Sequence, residues 1–400
     1  RAARMKRSFD ILIGGGGMVG LSAAALLAMN DRFKVTVVDA GPRPVFDPEN
    51  LSLRVSSIAP GSIDMLDAIG AWEEMVNTRA CPFRDMKVWD SAGSADGPET
   101  LSFESSEFAI PQLGFIVENC LVQQAILNQL DDSPAAVRYE TPIQTILRSD
   151  NRFTVHLESG EDLTPDLLIG ADGARSMVRD SAGIPVKSWL HAQKAFVAIL
   201  RPEFSHRNTA WQRFLQDGPI GLLPLADGRI SIVWSTTPDQ ADAALVMSDD
   251  ELSDCLADVT DGVLGRLAPS GPRGAFPLKS QHAVSYVQDG LALVGDAAHA
   301  IHPLAGQGVN LGMADVRELA AVLSAAVASD ENPGDLPILR RYERARKGEN
   351  QTMLQFMDVL NRLFSNDSRP LARLRGAGMY LFNKSGPIRA RVVQTALGIR

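Results

Sequence analysis

The N-terminal residues alternate between apolar runs and a glycine-rich break, a pattern that predicts a strand, a helix and a second strand. Phe9–Ile13 and Lys34–Val38 are apolar runs of strand length, and Met18–Met29 between them is rich in alanine and leucine. The glycine run at 14–17 lies where the first strand would end and the helix begin. A β-α-β unit of this kind, about thirty residues long, is the framework of a dinucleotide-binding site.

The glycines of this unit have the spacing that a pyrophosphate site requires. Gly15, Gly17 and Gly20 form the pattern Gly-x-Gly-x-x-Gly, which provides a tight turn, close approach to the phosphates and contact between helix and strand. Asp39 follows the second strand, where an acid binds ribose hydroxyls. The glycine pattern alone is weak evidence, but strand, helix and acid accompany it here and favour a dinucleotide.

A second glycine-rich segment lies in the C-terminal half. The apolar strand Leu291–Val294 is followed by the turn Gly295-Asp296, a loop with Pro303, and Gly306-Gln307-Gly308 at the start of a long helix. Glycines before a helix let the backbone approach a ligand, and the helix N-terminus favours negative charge. This segment suits a phosphate or the anionic edge of a reduced flavin.

The middle of the chain predicts further strands. Asp166–Gly170 is an apolar strand that ends in the turn Asp172-Gly173, a device also common in hairpins. Residues 136–170 predict hairpin strands, with Ser149-Asp150-Asn151 as a turn: Val137–Tyr139, Ile143–Arg148, Arg152–Leu157 and Asp166–Gly170.

Two other stretches predict a separate sheet, because strand-length runs alternate there with turns rich in glycine, serine and aspartate. They lie between 81 and 116 and between 181 and 280, and a helix is predicted at Ser248–Val259 in the second. Asp227-Gly228 predicts a hairpin turn. The main strand runs are Met86–Trp89, Glu99–Phe103, Phe196–Leu200, Trp211–Leu215, Gly221–Leu225 and Arg229–Trp234.

Composition and charge narrow the class of protein. The 400 residues, 45% of them hydrophobic, are enough for two intergrown domains with a packed core. A net charge of −9 argues against a nucleic-acid partner. Cys81, Cys120 and Cys255 follow no metal or disulfide pattern, which favours a reducing compartment and no metal site. No apolar run is long enough to predict a membrane span.

The last segment of the chain differs in charge from the rest. Residues 369–400 contain seven arginines and lysines, no acidic residue, and interleaved apolar residues. Such a basic amphipathic segment can lie on an anionic membrane surface. The alternative is a helix packed on the protein with a solvated basic face.

Together these motifs resemble the FAD-dependent aromatic hydroxylases. The string His302-Pro303-Leu304-Ala305-Gly306-Gln307-Gly308-x-Asn310-x-Gly312-x-x-Asp315 resembles the signature of their ubiquinone-biosynthesis branch at every fixed position. Gly170-Ala171-Asp172-Gly173 resembles a second motif of the flavoprotein hydroxylases, and the resemblance covers nearly the whole chain. Gly14 departs from the family pattern, which has an apolar residue there, and is expected to loosen the strand end.

The resemblance implies a fold and a division into domains. The fold class is α/β: an FAD-binding Rossmann-like domain of the p-hydroxybenzoate hydroxylase type, an interleaved antiparallel β-sheet substrate domain, and C-terminal helices. The FAD-binding domain would comprise 1–80, 117–180 and 281–335. The substrate domain would comprise 81–116 and 181–280, and the helical segment 336–400.

The resemblance also implies roles for individual residues, although isolated Arg54 would otherwise be a surface cation and Asn119 a helix N-cap. Pro303 and Gly308 are expected near the flavin ring, and Asp296 at the ribityl hydroxyls. The complete set of expected cofactor-binding residues is Gly15, Gly17, Gly20, Asp39, Arg54, Asn119, Asp172, Asp296, Pro303, Gly306, Gly308 and Asn310. Expected substrate-lining residues, for which the alternative is ordinary core, are Phe214, Leu223, Ile232 and Trp234.

The activity that the resemblance implies is hydroxylation of a polyprenyl phenol, a lipid substrate, in ubiquinone biosynthesis. FAD, reduced by NAD(P)H or another electron donor, would react with O2 to a C4a-hydroperoxide, so the flavin does the chemistry and no residue is assigned as catalytic. An apolar surface must exclude water from it. His299 and His302 are expected to be structural.

Two other functions stay open. One is hydroxylation of a soluble aromatic compound by the same fold, and the other is a flavin-bound but non-catalytic role in a ubiquinone-biosynthesis complex. The expected location is the cytoplasm, with peripheral contact to the inner membrane through 369–400, or the matrix side of that membrane in a eukaryote.

Overall fold

The computed structural model describes residues 7–149, 152–301, 308–364, 378–382, 384–386 and 389. The mixed α/β fold predicted from the sequence is confirmed. The helices of the described residues are, in chain order, α1 Met18–Ala28, α2 Pro60–Ala68, α3 Trp72–Thr78, α4 Asn119–Asp131, α5 Met177–Ser181, α6 Pro238–Val246, α7 Asp249–Val259, α8 Gly308–Ala328 and α9 Leu336–Phe364.

The strands found among the described residues belong to four sheets. In chain order they are β1 Phe9–Gly14, β2 Phe33–Val38, β3 Val55–Ile58, β4 Cys81–Phe83, β5 Asp85–Asp90, β6 Leu101–Glu104, β7 Gly114–Glu118, β8 Ala136–Arg138, β9 Ile143–Ser149, β10 Arg152–Leu157, β11 Asp162–Leu163, β12 Leu167–Gly170, β13 Val186–Pro202, β14 Thr209–Leu215, β15 Gly218–Pro224, β16 Ile230–Thr236, β17 Leu267–Ala283, β18 Val287–Gln288, β19 Leu291–Leu293 and β20 His299–Ala300.

A six-stranded sheet in the order β18-β19-β12-β1-β2-β8 forms the first layer. Strands β19, β12, β1, β2 and β8 are parallel, and β18 is antiparallel to β19. Helix α1 lies against α4 and α8. Because elements cover both faces, the central strands are continuous apolar runs rather than alternating ones.

The prediction of hairpins at Val137–Tyr139 and Asp166–Gly170 was wrong. Strand β8 pairs in parallel with β2, and β12 lies between β1 and β19. Only β9, β10 and β11 form an antiparallel unit there, and the turn at 150–151 lies outside the described residues. Apolar runs identify strands, but they do not identify partners that are distant in the sequence.

The eight-stranded sheet, in the order β20-β17-β13-β16-β15-β14-β5-β6, has two differently covered faces. Its outer face packs on α6 and α7, with a core that includes Phe196, Leu222, Leu252 and Leu256. Its inner face packs on the small sheet β3-β7-β4, where Leu223 meets Phe83 and Ile116. The inner face is therefore the one directed at the first layer.

Gly14 does not loosen the end of β1. It pairs in register with Gly170 of β12, so both strands stay regular to their last residue. A Cβ on either glycine would lie 3.0 Å from the Val178 side chain of α5. The glycines therefore make room for α5 above the strand ends.

The C-terminal helices differ from the predicted ones. The sequence predicts two separate helices at Ile338–Lys347 and Thr352–Phe364, but both runs are parts of the single helix α9. Residues 378–382 are helical, and Met379 packs against Val88 and Phe214. Arg389 pairs with Glu107 beside β6. The described part of 369–400 thus contacts the edge of the eight-stranded sheet.

A buried carboxylate joins α8 to the elements around it. Asp315 is fully buried and accepts hydrogen bonds from the Gly295 amide at 3.1 Å, His299 Nε2 at 2.5 Å, Arg346 Nε at 2.9 Å and Asn350 Nδ2 at 2.9 Å. Burial by itself would raise the pKa of Asp315, but attraction to His299 and Arg346 and these hydrogen bonds lower it below its usual value. His299 thus has the structural role predicted for it.

The same polar network reaches a second buried histidine. Asn350 Nδ2 donates to the Tyr286 hydroxyl at 3.4 Å, and this hydroxyl lies 2.9 Å from His282 Nε2. Burial, together with the neighbouring His299 and Lys347, lowers the pKa of His282 to about 4. His282 is therefore neutral in the folded protein at neutral pH.

The lowered pKa of His282 predicts that the stability of the protein depends on pH. The pKa of a histidine in the unfolded chain is near 6.5, whereas that of His282 in the folded protein is about 4. Between these two pH values the unfolded state binds more protons than the folded state. The free energy of unfolding therefore falls as the pH decreases, by up to about 3 kcal/mol. His282→Gln keeps an amide beside Tyr286 but cannot be protonated. We expect its urea-unfolding midpoint to fall less than the wild-type midpoint between pH 7 and pH 4.5, as measured by circular dichroism.

The control is His156→Gln on the hairpin β9-β10, outside this network, where His156 pairs with the exposed Asp162; its curve should stay closer to the wild-type curve than that of His282→Gln. Equal slopes for wild type and His282→Gln would contradict the assignment.

Candidate functional site

The three glycine-containing motifs meet at one edge of the six-stranded sheet. They follow β1, β12 and β19, which are adjacent and parallel, with Gly14 opposite Gly170 and Gly170 opposite Leu293. Parallel α/β sheets bind ligands outside the carboxyl ends of their strands. The motifs, which lie far apart in the sequence, therefore face one cleft.

Two glycines of the first motif are required by close backbone contacts. Gly15 has φ +109°, and a Cβ there would lie 2.4 Å from the Ala171 carbonyl oxygen of the second motif. A Cβ on Gly20 would lie 1.9 Å from the Gly15 carbonyl oxygen. No other residue fits at either position without moving the backbone.

Gly17 differs from these two glycines because it borders open space. It is the N-cap of the eleven-residue helix α1, with φ −77° and ψ −179°, and a Cβ there would meet nothing within 4 Å. The helix has no acidic residue in its first turn and no side chain that caps it. Its free amides and this space fit the pyrophosphate of a dinucleotide.

Asp39 lies beside the glycine turn. Its carboxylate accepts hydrogen bonds from the Gly16 amide at 2.6 Å and the Gly41 amide at 2.7 Å. The Tyr139 hydroxyl donates to the Gly16 carbonyl oxygen at 2.8 Å, and Gln123 Nε2 donates to it at 3.3 Å. Asp39 thus lies where the ribose of a dinucleotide is expected.

Tyr139 and Gln123 were not predicted as site residues from the sequence. Burial and the nearby Asp39 charge raise the pKa of Tyr139 to about 12, so its hydroxyl stays a hydrogen-bond donor. Tyr139 follows β8, and the parallel pairing of β8 with β2 brings it to the cleft. Recognising β8 as a parallel strand would have identified it.

Asp172 uses its carboxylate locally. It accepts hydrogen bonds from the Ser176 hydroxyl and from the Val178 amide at 3.1 Å, at the start of α5. Gly173 beside it has φ +79° and open space at the Cβ position. Any contact of this motif with a cofactor is therefore expected from the backbone rather than from the Asp172 carboxylate.

Arg179 and Gln281 join the second motif to the third. Buried Arg179 donates through Nη1 to the Ala174 carbonyl oxygen at 3.1 Å and to that of Ala297 at 3.2 Å. Gln281 Nε2 lies 2.5 Å from the same Ala174 oxygen and 3.4 Å from the Asp296 carbonyl oxygen. No role was predicted for either residue from the sequence.

Asp296 lines the cleft. Its side chain is accessible to solvent. Desolvation by the surrounding protein nevertheless raises the pKa of this carboxyl group, although the nearby His299 and Arg54 act to lower it. Arg54 is also exposed, and its guanidinium lies 6.0 Å from the centre of the Phe276 ring. An accessible carboxylate in a narrow cleft fits the hydroxyl groups of a ribityl chain.

Asn119 is not the N-cap of its helix. It is the first residue of α4, and Glu118 precedes it at the cap position. Its Oδ1 accepts a hydrogen bond from the Ser56 hydroxyl at 2.7 Å, and its amide donates to the Arg54 carbonyl oxygen at 3.0 Å. Asn119 therefore fixes the start of β3, including Arg54.

Asn310 also has a structural role for its side chain. Oδ1 accepts from the Ala59 amide at 2.9 Å and the Ser62 hydroxyl at 2.8 Å, and Nδ2 donates to the Ser57 carbonyl oxygen at 2.7 Å. These bonds attach the first turn of α8 to β3 and α2. They leave only the backbone of Asn310 for a cofactor.

The rest of the third motif is partly described. Gly308 is the first residue of α8, and the nearest atom to a Cβ there is in Ile301, 4.0 Å away. It therefore leaves room at the helix N-terminus. Pro303 and Gly306, as well as His302, lie outside the described residues.

Of the expected substrate-lining residues, two lie on the inner face of the eight-stranded sheet. Leu223 lines a cavity between this face and β3, β4 and β7. Phe214 lies farther along the same face, against Val88 and Met379. Ile232 and Trp234 lie on the outer face, in the core under α6 and α7, so they cannot line the cavity. Successive side chains of β16 point to opposite faces of the sheet, but the sequence did not show which of these faces packs on α6 and α7.

Comparisons with known proteins agree with this geometry. The FAD binding domain family matches residues 8–357. The chain is 37% identical to 3-demethoxyubiquinol 3-hydroxylase of Escherichia coli, over 98% of each chain. It is 36% identical to the mitochondrial ubiquinone biosynthesis monooxygenase COQ6 of Danio rerio, over 97% of this chain and 89% of the relative.

A solved structure supports the same fold. PqsL of Pseudomonas aeruginosa superposes with a TM-score of 0.77 at 23% identity, over 94% of this chain and all of that one. Glycines that leave space at a helix N-terminus, an acid at the ribose position and an accessible carboxylate in the cleft fit FAD. The chain therefore belongs to the family of FAD-dependent monooxygenases that includes the ubiquinone-biosynthesis hydroxylases.

Proposed function

We propose that this protein hydroxylates the aromatic ring of a polyprenyl phenol in ubiquinone biosynthesis, with FAD, O2 and NAD(P)H or another electron donor. The two relatives described above are named for steps of that pathway, and each is aligned over nearly the whole chain. Similarity over this length supports a shared reaction class.

The observation that carries the proposal is the cavity on the inner face of the eight-stranded sheet. Phe83, Met86, Ile116 and Leu223 give it apolar walls. Ser57 also lines it, and the Ser57 carbonyl oxygen accepts the hydrogen bond from Asn310 in the first turn of α8. The volume of this cavity is about 20 Å³, less than an aromatic ring needs, so the lining side chains would have to move apart for a ring to enter. These apolar walls would then exclude water from the ring.

The residues of the chain would bind and orient the reactants. FAD, when bound and reduced, supplies the activation of O2 for transfer of one oxygen atom to the ring. The N-terminus of α8, twenty-one residues long, provides positive potential where negative charge develops. Asp296 would hold the cofactor by its hydroxyl groups, and the apolar cavity would hold the ring.

The proposal predicts turnover of a prenylated phenol. FAD-loaded protein supplied with NADPH or a chemical reductant, isotopically labelled O2 and a short-chain prenylphenol should yield a product with one labelled oxygen atom in its ring, detected by mass spectrometry. Omission of the protein is the control.

Each other outcome favours a different function. Turnover of a water-soluble phenol but not of the prenylphenol would indicate a hydroxylase of soluble aromatics. Protein that binds FAD but oxidises no reductant with any phenol would indicate the non-catalytic member of a complex.

A matched pair of glycine variants tests the cofactor site. Gly17→Ala fits the local backbone, but its methyl group occupies the open space at the N-terminus of α1. We expect FAD affinity to fall about tenfold, with unchanged circular dichroism, because the methyl group displaces the pyrophosphate. Fluorescence titration of the apoprotein with FAD measures the effect.

Gly348→Ala, which also enters open space but lies on the exposed side of α9, should leave FAD affinity unchanged. Equal affinities for the two variants would remove the assignment of Gly17 to the pyrophosphate.

We further propose that the C-terminal segment contacts an anionic membrane on one side while it packs on the protein with the other. Met379 faces the protein core, whereas Tyr380 and Leu381 are exposed and Lys384 is exposed near them. No helix within the described residues is both long and apolar enough to cross a bilayer. The proposed contact is therefore peripheral.

A single charge on this surface should weaken the contact. Leu381 is 66% exposed, and Leu381→Glu should reduce co-sedimentation with vesicles of phosphatidylglycerol and phosphatidylcholine about tenfold, because an apolar anchor is lost and a like charge is added. Val246, 84% exposed on α6, gives the matched control Val246→Glu. Equal sedimentation of wild type and Leu381→Glu would exclude this surface.

A further inference from the structure

The apolar cavity described above contains two polar side chains that the reaction scheme does not use. They are Ser57 of β3 and Gln212 of β14, on opposite walls. The remaining side chains around them include Phe83, Met86 and Leu223. Polar groups in such surroundings normally have partners, because an unpaired one loses its hydrogen bonds to water.

Gln212 has no such partner within the described part of the chain. The residue is only 6% exposed, and its carboxamide forms no hydrogen bond with any described residue. On β14 its side chain points to the inner face, whereas the neighbouring Arg213 bonds to the end of α7 on the outer side. The carboxamide is therefore directed into the cavity with its donor and acceptor groups unused.

Ser57 is the complement on the other wall. It is 6% exposed, and although its backbone carbonyl accepts from Asn310, its hydroxyl has no partner among the described residues. The bond to Asn310 fixes this residue relative to the N-terminus of α8. Ser57 therefore lies next to the first turn of α8.

Gly221 provides the space between these groups. It pairs with Gln212 across β14 and β15, and the nearest atoms to a Cβ there are backbone oxygens 4.0 Å away. A side chain would fit, and glycine weakens a strand interior. The missing side chain instead leaves room beside the Gln212 carboxamide.

We propose that Gln212, with Ser57, forms a subsite that hydrogen-bonds the ring oxygen of a phenol substrate and so selects hydroxylated rings over apolar ones. The substrate class rests on the proposed function. A carboxamide can donate to a phenol oxygen and accept from its hydroxyl, and Ser57 can do the same. A ligand without the oxygen would leave both groups unpaired in a desolvated site, so it is disfavoured.

The subsite also orients the ring. A ring held by its oxygen between Gln212 and Ser57 can no longer rotate in its own plane, so one ring carbon faces the start of α8. A flat apolar pocket alone would allow several orientations. Gln212 is therefore a positioning and specificity residue for the reaction rather than a catalytic one.

The test compares two probes in the FAD-loaded protein. One is a phenol with a short prenyl chain, and the other is the same prenylbenzene without the hydroxyl group. Binding is followed by the change in the visible flavin spectrum. Wild type should bind the phenol about tenfold more tightly, and Gln212→Met should reduce this ratio to about twofold or less with little change for the prenylbenzene.

Three further variants separate the causes. Ser57→Ala should lower the ratio in part, and it provides a second test should Gln212→Met fold poorly. Gln288→Met, the same change on β18 at the far sheet, should keep the wild-type ratio. Gly221→Val should weaken both probes alike, because it removes space rather than a hydrogen bond.

The outcomes are distinct from those for the proposed function. An unchanged ratio in Gln212→Met and in Ser57→Ala, or no preference for the phenol in wild type, would overturn the subsite even in an enzyme that hydroxylates prenylphenols. A ratio that collapses in Gln212→Met, in a protein that does not hydroxylate the prenylphenol, would support the subsite and refute the proposed substrate.

Discussion

The buried carboxylate of Asp315 is the interaction on which the arrangement of the cleft depends. A charge without solvent is tolerated only where donors surround it, and here they come from the Gly295 turn, His299 and two residues of α9. The donors belong to three parts of the last third of the chain, the Gly295 turn, β20 and α9. Satisfying one carboxylate therefore fixes the third motif, the start of β20 and α9 relative to α8.

The glycines extend this constraint to the N-terminal motif. A Cβ on Gly312 of α8 would lie 2.7 Å from Val19 of α1 and 3.2 Å from the Gly295 backbone. Helix α1 in turn contacts the glycine turn after β1 through Gly20, and this glycine turn contacts the second motif through Gly15. These close contacts hold the three motifs against one another at positions where a side chain would not fit. A cofactor bound there would meet backbone amides of the turns together with the carboxylates of Asp39 and Asp296.

Much of this organisation could be predicted from the sequence, because local patterns specify it. The spacing of Gly15, Gly17 and Gly20 and the strand before them determine a turn whatever the rest of the chain does. Tyr139 could not be found this way, since its position depends on a parallel pairing with β2, remote in sequence. Ile232 and Trp234 were assigned to the wrong face because α6, which covers them, was not predicted.

The hydrogen bonds explain which conspicuous polar residues are available to ligands. Asp172, Asn119 and Asn310 stand in or beside recognisable motifs, yet their side chains bind the backbone or hydroxyl groups of neighbouring elements. Gln212 belongs to no motif, and its carboxamide has no partner among the described residues. Its polar atoms border the cavity, where a ligand or water can reach them. In this fold the motifs build the walls of the site, and we propose that the polar groups between the walls define what it binds.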